Sequence, residues 1–283
     1  QQTFGGLNYV GPLPIRRSTQ LQLKLKKGFY QFLCGQRYLQ DADRHVLQDI
    51  STAANRQLKS MDYDLVFSPV TYTIAYLETQ RPIVFWADAT FAGLVDYYPY
   101  HSNLCYENVL NGLKMEQSAL DRCTLALFAS DWAANTAINN YQVDPLKVRV
   151  VPFGANVECD RTPADIAAIV QAKPQDQCNL LFLGVNWHRK GGDLALNVAK
   201  QLNQAGLKTQ LTVIGCDPVS GEPLPDFVKP LGFVSKATAE GRQTIDRAFA
   251  EAHFLILPSR AECYGIVFCE AASFGVPSLA NHT

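Results

Sequence analysis

Short apolar runs alternate with amphipathic segments along nearly the whole chain. Mostly aliphatic runs of four to six residues are typical of buried parallel strands, whereas apolar residues spaced three or four positions apart are typical of helices. The pattern predicts strands at residues 7–10, 64–68, 83–86, 125–129, 148–152, 180–184, 210–215, 228–233, 254–257 and 278–280. It predicts helices most clearly at residues 42–60, 106–122, 131–141, 192–204 and 236–252. This alternation indicates an α/β protein with mostly parallel sheets.

A polar, irregular stretch at residues 156–177 divides the predicted strands into two groups. Each group, with its helices, is long enough to form a sheet and a core of its own. The sequence therefore predicts two Rossmann-like domains, at residues 1–157 and 178–283, joined by a linker at residues 158–177.

Composition and charge argue against several classes of protein. Of the 283 residues, 47% are hydrophobic and 18% charged, as in an ordinary globular protein. The net charge of −1 gives no overall field that would attract nucleic acid. No apolar run approaches the roughly 20 residues that a membrane-spanning helix needs. The eight cysteines are scattered singly without metal-binding spacing, so we expect reduced thiols in a cytoplasmic protein.

A strand, a turn and a helix follow one another near the C-terminus. The apolar run at residues 253–257 predicts a buried strand, and residues 258–261 predict the turn that leaves it. A helix is expected to begin near Gly265 and to end before Gly275 and Pro277. The first turn of a helix has unpaired N–H groups and a positive dipole end, which suit a phosphate or a sugar hydroxyl.

Two glutamates accompany this turn. Glu262 lies in the turn, and Glu270 lies eight positions later in the helix, where side chains lean back toward the N-terminus. Because carboxylates accept hydrogen bonds only, the pair fits a polyhydroxylated ligand with an anionic tail, such as a nucleotide sugar. The alternative interpretation is a helix cap and one exposed glutamate.

The segment from residue 249 to residue 277 resembles the donor-site signature of the retaining GT-B glycosyltransferases of family four. In that family a strand ending in Leu-Pro-Ser precedes Glu, an aromatic residue, Gly and a second Glu eight positions after the first. Here these residues are Leu257-Pro258-Ser259, Glu262, Tyr264, Gly265 and Glu270. Other family-like segments lie at residues 129–134, 150–156, 181–184 and 190–193. The resemblance implies GT-B architecture, in which two Rossmann-like domains with mostly parallel sheets face a cleft.

The resemblance also implies a chain that is incomplete at both ends. In the family, a first strand and a glycine-rich loop that lines the donor phosphates precede the segment similar to residues 7–10. Beyond the position of Thr283, the family continues through a Gly-Gly turn and closing helices. We therefore expect a fragment that folds largely but does not transfer sugar by itself.

The resemblance assigns roles to the residues of the signature. Glu270 would hold the ribose hydroxyls of the nucleotide, and Glu262 would contact the transferred sugar near its anomeric carbon. Backbone N–H groups near Tyr264, Gly265 and Ile266 would meet the sugar and the distal phosphate.

Cations are expected beside the phosphates, just after the strand that ends at Gly184. The family has an Arg there and a Lys five positions later. Lys190 matches the Lys, but Val185 occupies the Arg position, so Arg189 is the candidate replacement. His188 is a further candidate donor in this loop, and the alternative is a pair of exposed cations at the start of a helix.

On the acceptor side, residues 83–91 resemble a segment found in one subset of the family. Asp88 either orients the acceptor hydroxyl or caps the turn after its strand. Asp41 and Asp43 have the D-x-D spacing of metal-dependent glycosyltransferases of another fold, but we interpret them as a helix start. GT-B enzymes generally need no catalytic metal, so the resemblance implies neither a metal nor a cofactor.

The resulting hypothesis is a retaining glycosyltransferase, of hexosyltransferase type. It would move a sugar from a UDP- or GDP-linked donor to a carbohydrate or lipid-linked acceptor. Two alternatives stay open: a non-catalytic nucleotide-sugar-binding relative, and another GT-B sugar-nucleotide enzyme such as an epimerase. The two glutamates and Lys190 favour the transferase, whereas Val185 leaves room for the non-catalytic relative.

The N-terminal segment is strongly basic. Residues 1–40 carry +6 and no acidic residue, and because the whole chain is −1, residues 41–283 carry −7. Residues 16–27 hold five of these cations, interleaved with Leu21, Leu23 and Leu25. This segment is either a contact with an anionic membrane surface or a solvated helix beside the acceptor cleft.

Overall fold

Two compact units make up the protein, Gln1–Pro152 and Phe153–Thr283. The structure is a computed structural model that describes residues 6–158, 160–219 and 221–283. The division follows Pro152, a few residues before the predicted boundary, and the predicted linker belongs to the second unit. Each unit has its own parallel sheet and its own buried core, as the alternating pattern predicts.

The first unit is built around a parallel sheet of four strands in the order β1-β2-β3-β4. Its helices and strands are α1 (Arg17–Leu33), α2 (Arg44–Leu58), β1 (Val66–Ser68), β2 (Ile83–Ala87), α3 (Phe91–Leu94), α4 (Tyr106–Arg122), β3 (Leu125–Phe128), α5 (Asp131–Asn140) and β4 (Val148–Val150). Phe85 of β2 and Phe128 of β3 are fully buried, and their rings meet edge to face at 5.6 Å. Such neighbouring aromatic side chains anchor the core of the unit.

The second unit contains a parallel sheet of five strands in the order β7-β6-β5-β8-β9. Its elements are α6 (Pro163–Gln171), β5 (Cys178–Leu183), α7 (Gly192–Gln204), β6 (Thr209–Ile214), β7 (Val228–Pro230), α8 (Ala239–Glu251), β8 (Phe254–Leu257), α9 (Ile266–Ala272) and β9 (Ser278–Ala280). The strand order reverses direction between β5 and β8, which is the place where ligands bind in open α/β sheets. A ligand is therefore expected beside the loops that follow these two strands.

Two predictions about local structure are wrong. Residues 7–10 form no strand, and residues 6–16 have no regular secondary structure. Just after residue 10 the chain is fixed by a side chain of α2, because the Gly11 N–H donates to Gln57 Oε1 and Gln57 Nε2 donates to the Pro12 carbonyl. Residues 158–177 are not irregular throughout, since they contain α6. A capping box of Thr162 and Asp165 starts that helix.

Candidate functional site

Glycines bring three loops together at the C-terminal edge of the second sheet. Gly215, at φ +103°, follows β6, and a Cβ there would lie 2.8 Å from the Gly184 carbonyl at the end of β5. Gly191, at φ +75°, precedes α7, and a Cβ there would overlap the Pro258 carbonyl after β8. Only glycine adopts these backbone conformations at such close approach without strain. The loops that follow β5 and β8 are thus held in contact.

Lys190 and Glu262 form an ion pair between these two loops. Arg189 approaches the same carboxylate oxygen, with its Nη1 3.9 Å away, and the Ser259 hydroxyl donates to that oxygen at 3.3 Å. Gly184 lies beside Lys190, because a Cβ at Gly184 would be 3.0 Å from Lys190 Cγ. The structure therefore brings four of the predicted site residues together.

Arg189 also has a structural role in this loop. Its Nη1 donates to the Ala261 carbonyl at 2.9 Å, and its backbone N–H donates to Asn186 Oδ1 at 2.9 Å. Val185, at the position where the family has Arg, is 67% exposed and offers no charge. His188 is exposed, and its carbonyl accepts a hydrogen bond from Arg260.

Glu270 lies on α9 and is only 2% exposed. Its carboxylate pairs with the ammonium group of Lys236, which lies in the loop between β7 and α8. A buried carboxylate without a partner is costly, so this ion pair compensates for the burial of Glu270. The Glu270 carboxylate is therefore a negatively charged hydrogen-bond acceptor at the C-terminal edge of the sheet.

Sequence reasoning missed Lys236, because it placed this residue in the helix predicted at residues 236–252. The helix begins later, at Ala239, because the Thr238 hydroxyl accepts a hydrogen bond from the Gly241 N–H at 3.1 Å and caps it. Lys236 follows the parallel strand β7, so it lies at the same C-terminal edge of the sheet as Glu262, which follows β8. This position after a strand was the signal in the sequence that could have identified Lys236.

Tyr264, Gly265 and Ile266 connect the loop after β8 to α9. The Tyr264 hydroxyl donates to the Phe153 carbonyl at 2.8 Å, and the two rings meet edge to face at 5.2 Å. The side chain of Tyr264 therefore anchors the first residue of the second unit. Gly265, at φ +79°, is the N-cap of α9 and provides no side chain to cap its N–H groups, and Ile266 opens the helix.

Asp88 lies in the first unit, exposed, just after β2. The helix that follows is capped by Thr90, whose hydroxyl accepts a hydrogen bond from the Gly93 N–H at 3.1 Å. Asp43 caps α2 by accepting from the N–H groups of His45 and Val46, which confirms the interpretation of the D-x-D spacing as a helix start. Among the described residues, no three His, Cys, Asp or Glu side chains are grouped as metal ligands.

Known proteins resemble this chain in both sequence and fold. The D-inositol 3-phosphate glycosyltransferase of Streptomyces scabiei is 31% identical over 167 residues, which cover 52% of this chain and 37% of that protein. Its counterpart in Mycobacterium leprae is 28% identical over 174 residues, which cover 58% of this chain and 40% of that protein. The matched region thus spans well under half the length of these relatives.

Solved structures show the fold. Anabaena HepE in complex with UDP and glucose superposes with a TM-score of 0.54 and 18% identity, covering 83% of this chain and 62% of that chain. WaaG, a glycosyltransferase involved in lipopolysaccharide biosynthesis, gives a TM-score of 0.53 and 18% identity, covering 87% and 66%. With the two parallel sheets, these similarities confirm the prediction of the GT-B fold class.

One family model covers more than half of the chain. It is described as "Family 4 Glycosyltransferase in conflict systems" and matches residues 131–283, which include β5 to β9 and both glutamates of the signature. This chain therefore belongs to the family 4 glycosyltransferases, in the group found in conflict systems.

Proposed function

We propose that this chain provides the donor-binding part of a retaining glycosyltransferase. The enzyme transfers a sugar, of hexosyl type, from a UDP- or GDP-linked donor to a carbohydrate or lipid-linked acceptor. The proposal rests on two ion pairs at the C-terminal edge of the second sheet. Each glutamate of the signature, Glu262 and Glu270, pairs with a lysine from the loop after another strand.

Glu270 is proposed to hold the ribose of the nucleotide. The two ribose hydroxyls are donors, and a carboxylate, which only accepts hydrogen bonds, is their natural partner. Lys236 offsets the charge of this buried carboxylate. It also holds one oxygen of Glu270 in place, which limits the orientations that a bound ribose can select.

Lys190 and Arg189 are proposed to meet the diphosphate. Both approach the same oxygen of Glu262, so they converge on one location although they are neighbours in sequence. An ammonium group has three N–H donors, of which Glu262 takes one, so Lys190 has further donors for phosphate oxygens. The backbone N–H groups near Tyr264, Gly265 and Ile266 add further donors, while Gly184 leaves room for the Lys190 side chain. Together, these cations and N–H dipoles stabilise the leaving diphosphate.

The proposed reaction is a displacement on one face of the sugar. The bond between the anomeric carbon and the phosphate oxygen breaks as the acceptor hydroxyl bonds to the same carbon from the same side. The acceptor proton passes to the departing phosphate oxygen. Glu262 contacts the sugar near the anomeric carbon, and Asp88 orients the acceptor hydroxyl. Family resemblance supports the retention and the role of Glu262, and the position of Asp88 just after β2 supports its role.

Two measurements on a protein that contains this chain test the proposal. Calorimetry with UDP and GDP should detect binding of at least one nucleotide. NMR of the product formed from a panel of UDP- and GDP-sugars should show the anomeric configuration of the donor. Binding without transfer to any acceptor supports the non-catalytic relative. Conversion of the free donor to an epimer supports the epimerase, and an inverted product contradicts retention.

We also propose that α1 docks on an anionic membrane surface at the cytoplasmic face. Its solvent-facing side carries large apolar side chains, at Leu21, Leu25, Phe29, Phe32 and Leu33, which are between 52% and 82% exposed. Positions 21, 25, 29 and 32 form one stripe, as in a helix that lies in a membrane interface. In the parts of the chain that the structure describes, no helix has the length and apolar character needed to cross a membrane.

Among the described residues, two of the five cations of residues 16–27 pair with carboxylates. Arg16 pairs with buried Asp49, and Lys26 pairs with Asp43 and Glu107. The remaining cations, Arg17, Lys24 and Lys27, are exposed. Three surface cations beside an apolar stripe suit anionic lipid, and each is worth about 1 kcal/mol near such a surface.

A further inference from the structure

Arg260 joins the two loops that carry Lys190 and Glu262. Its guanidinium group forms two parallel hydrogen bonds with Asp193 in the first turn of α7, at 2.8 and 2.7 Å. The Nη1 atom also donates to the His188 carbonyl at 2.5 Å. These bonds connect Arg260, in the loop after β8, to the loop after β5 and to the start of the helix that follows it.

A backbone hydrogen bond and a second arginine complete the connection. The Arg260 N–H donates to the Arg189 carbonyl at 2.8 Å. Arg189 in turn donates from its guanidinium group to the Ala261 carbonyl at 2.9 Å. Each loop therefore sends one arginine to a backbone carbonyl of the other. In the sequence, Arg189 directly precedes Lys190 and Arg260 lies two positions before Glu262.

We propose that Arg260 is a positioning residue, which holds the Lys190 loop and the Glu262 loop at the spacing needed to bind a nucleoside diphosphate. The proposal rests on the proposed function, because it assumes that Lys190 and Glu262 contact the donor. Arg260 acts through its neighbours, since its guanidinium group is occupied by Asp193 and His188.

Only arginine can make this set of contacts. Its planar fork matches a carboxylate with two parallel bonds while a further N–H reaches a third acceptor, whereas lysine is a point charge. The pair is partly exposed, with 35% of the Arg260 side chain and 45% of the Asp193 side chain accessible. Such pairs contribute little to global stability, so the loss of Arg260 should affect the two loops more than the fold.

The first test measures loop order without reference to any ligand. Arg260→Gln should accelerate amide hydrogen exchange about 2- to 30-fold in both residues 185–191 and residues 259–263, the range of an indirect coupling. Lys208→Ala is the matched control, because Lys208 pairs with Asp176 at 4.0 Å on the surface of the same unit. Unchanged exchange in Arg260→Gln overturns the proposal.

The second test measures nucleotide binding. Arg260→Gln and Arg260→Lys should weaken binding of UDP or GDP, whichever the unaltered protein binds, by about 2- to 30-fold. The unfolding midpoint should change by no more than about 2–4 °C. Asp193→Asn should also weaken binding. The double variant should lose no more than the Arg260 variant alone, because that variant has already lost the contact with Asp193.

The outcomes separate the two proposals. If the unaltered protein binds neither nucleotide while Arg260→Gln loosens both loops, the proposed function fails but the connection stands. If nucleotides bind and both Arg260 variants bind equally well, the positioning role is overturned. Should Arg260→Gln fail to fold, Asp193→Asn gives the same readouts. A donor KM that rises while the acceptor KM is constant supports a role at the donor site.

Discussion

Lys236 and Glu270 form an ion pair although 34 positions separate them in the sequence. The lysine follows β7 and the glutamate lies on α9, so the pair links the loop at one side of the sheet to the helix after β8. Glu270 is almost fully buried and Lys236 is one-third exposed. The pair therefore neutralises a buried charge from the solvent side, and it explains how a carboxylate is kept at a site where a ribose is proposed to bind.

Glu270→Ala should weaken nucleotide binding. A hydrogen bond to a charged group contributes roughly 1.5–3 kcal/mol, which corresponds to a loss of affinity of about 10- to 150-fold. Calorimetry with UDP and GDP measures the loss. Asp246→Ala is a suitable control, since the Asp246 side chain is 42% exposed and pairs with Arg161 in the same unit at 3.5 Å. Unchanged affinity in Glu270→Ala would exclude the ribose contact.

Lys236→Met should destabilise the protein more than the double variant Lys236→Met/Glu270→Gln. The single variant leaves a buried carboxylate without its cation, whereas the double variant removes both charges together. We expect a difference of roughly 1–3 kcal/mol in the free energy of unfolding, below that of a fully buried pair because Lys236 is partly exposed. Urea denaturation of the two variants measures it. Equal stability of the two would mean that the pair does not compensate for burial.

Local signals in the sequence defined much of the second unit. Helix α7 has the predicted bounds because glycines mark both ends, with Gly191 at φ +75° before it and Gly206 at φ +87° after it. Strand β8 also has the predicted bounds, since its apolar run is closed by Pro258. The spacing of Glu262 and Glu270 is local as well. Hydrophobic periodicity and turn residues act over a few positions, so the bounds of α7 and β8 could be predicted without knowledge of distant contacts.

Contacts between distant segments were not predictable in the same way. Nothing near Lys236 in the sequence indicates that it meets Glu270, since β7 and β8 are separated in the sheet by β6 and β5. The contact of Gln57, on α2, with the backbone of Gly11 and Pro12 likewise joins positions 45 or 46 residues apart. The convergence of Arg189 and Lys190 on one oxygen also depends on the loop conformation, since neighbouring side chains need not point the same way.

Sugar transfer by a protein that contains this chain should continue in the presence of EDTA. Lys190 and Arg189 supply positive charge beside Glu262, where the diphosphate is proposed to lie, so charge stabilisation does not require a divalent cation. The measurement compares initial rates in EDTA with rates after Mg²⁺ or Mn²⁺ is added. Activity that is lost in EDTA and restored by Mn²⁺ would contradict this prediction.

Phe32→Gln should reduce binding to anionic vesicles. Phe32 is 82% exposed on the apolar stripe of α1, and burying such a side chain contributes about 1.5–3 kcal/mol, so we expect a loss of about tenfold or more. Leu146→Gln is the matched control, because Leu146 is 74% exposed elsewhere in the same unit. Flotation with phosphatidylserine vesicles and with neutral vesicles at low salt gives the comparison. Equal partitioning to both would exclude an electrostatic contact.

Glu116 of α4 is a buried carboxyl group in the first unit, only 2% exposed. Its Oε2 atom accepts a hydrogen bond from the Thr71 hydroxyl at 2.7 Å, whereas Oε1 has no hydrogen-bond partner among the described residues. Burial raises the pKa of Glu116 from its ordinary value of 4.5 to about 7, although hydrogen bonds from Thr71 and from the Phe91 N–H oppose the rise. Between about pH 4.5 and pH 7, the Glu116 side chain therefore keeps its proton in the folded protein, whereas it has lost this proton in the unfolded chain.

The stability of the protein should consequently fall as the pH rises from about 4.5 to about 7, and it should stay low above that range. Because each unit of pKa shift corresponds to 1.36 kcal/mol, Glu116 should cost about 3 kcal/mol at pH 8 relative to pH 4. Glu116→Gln keeps the shape of the side chain and removes the titration. Urea denaturation at both pH values should therefore show a smaller loss of stability at pH 8 in the variant than in the unaltered protein. Parallel pH profiles for the two proteins would show that Glu116 does not titrate in this window.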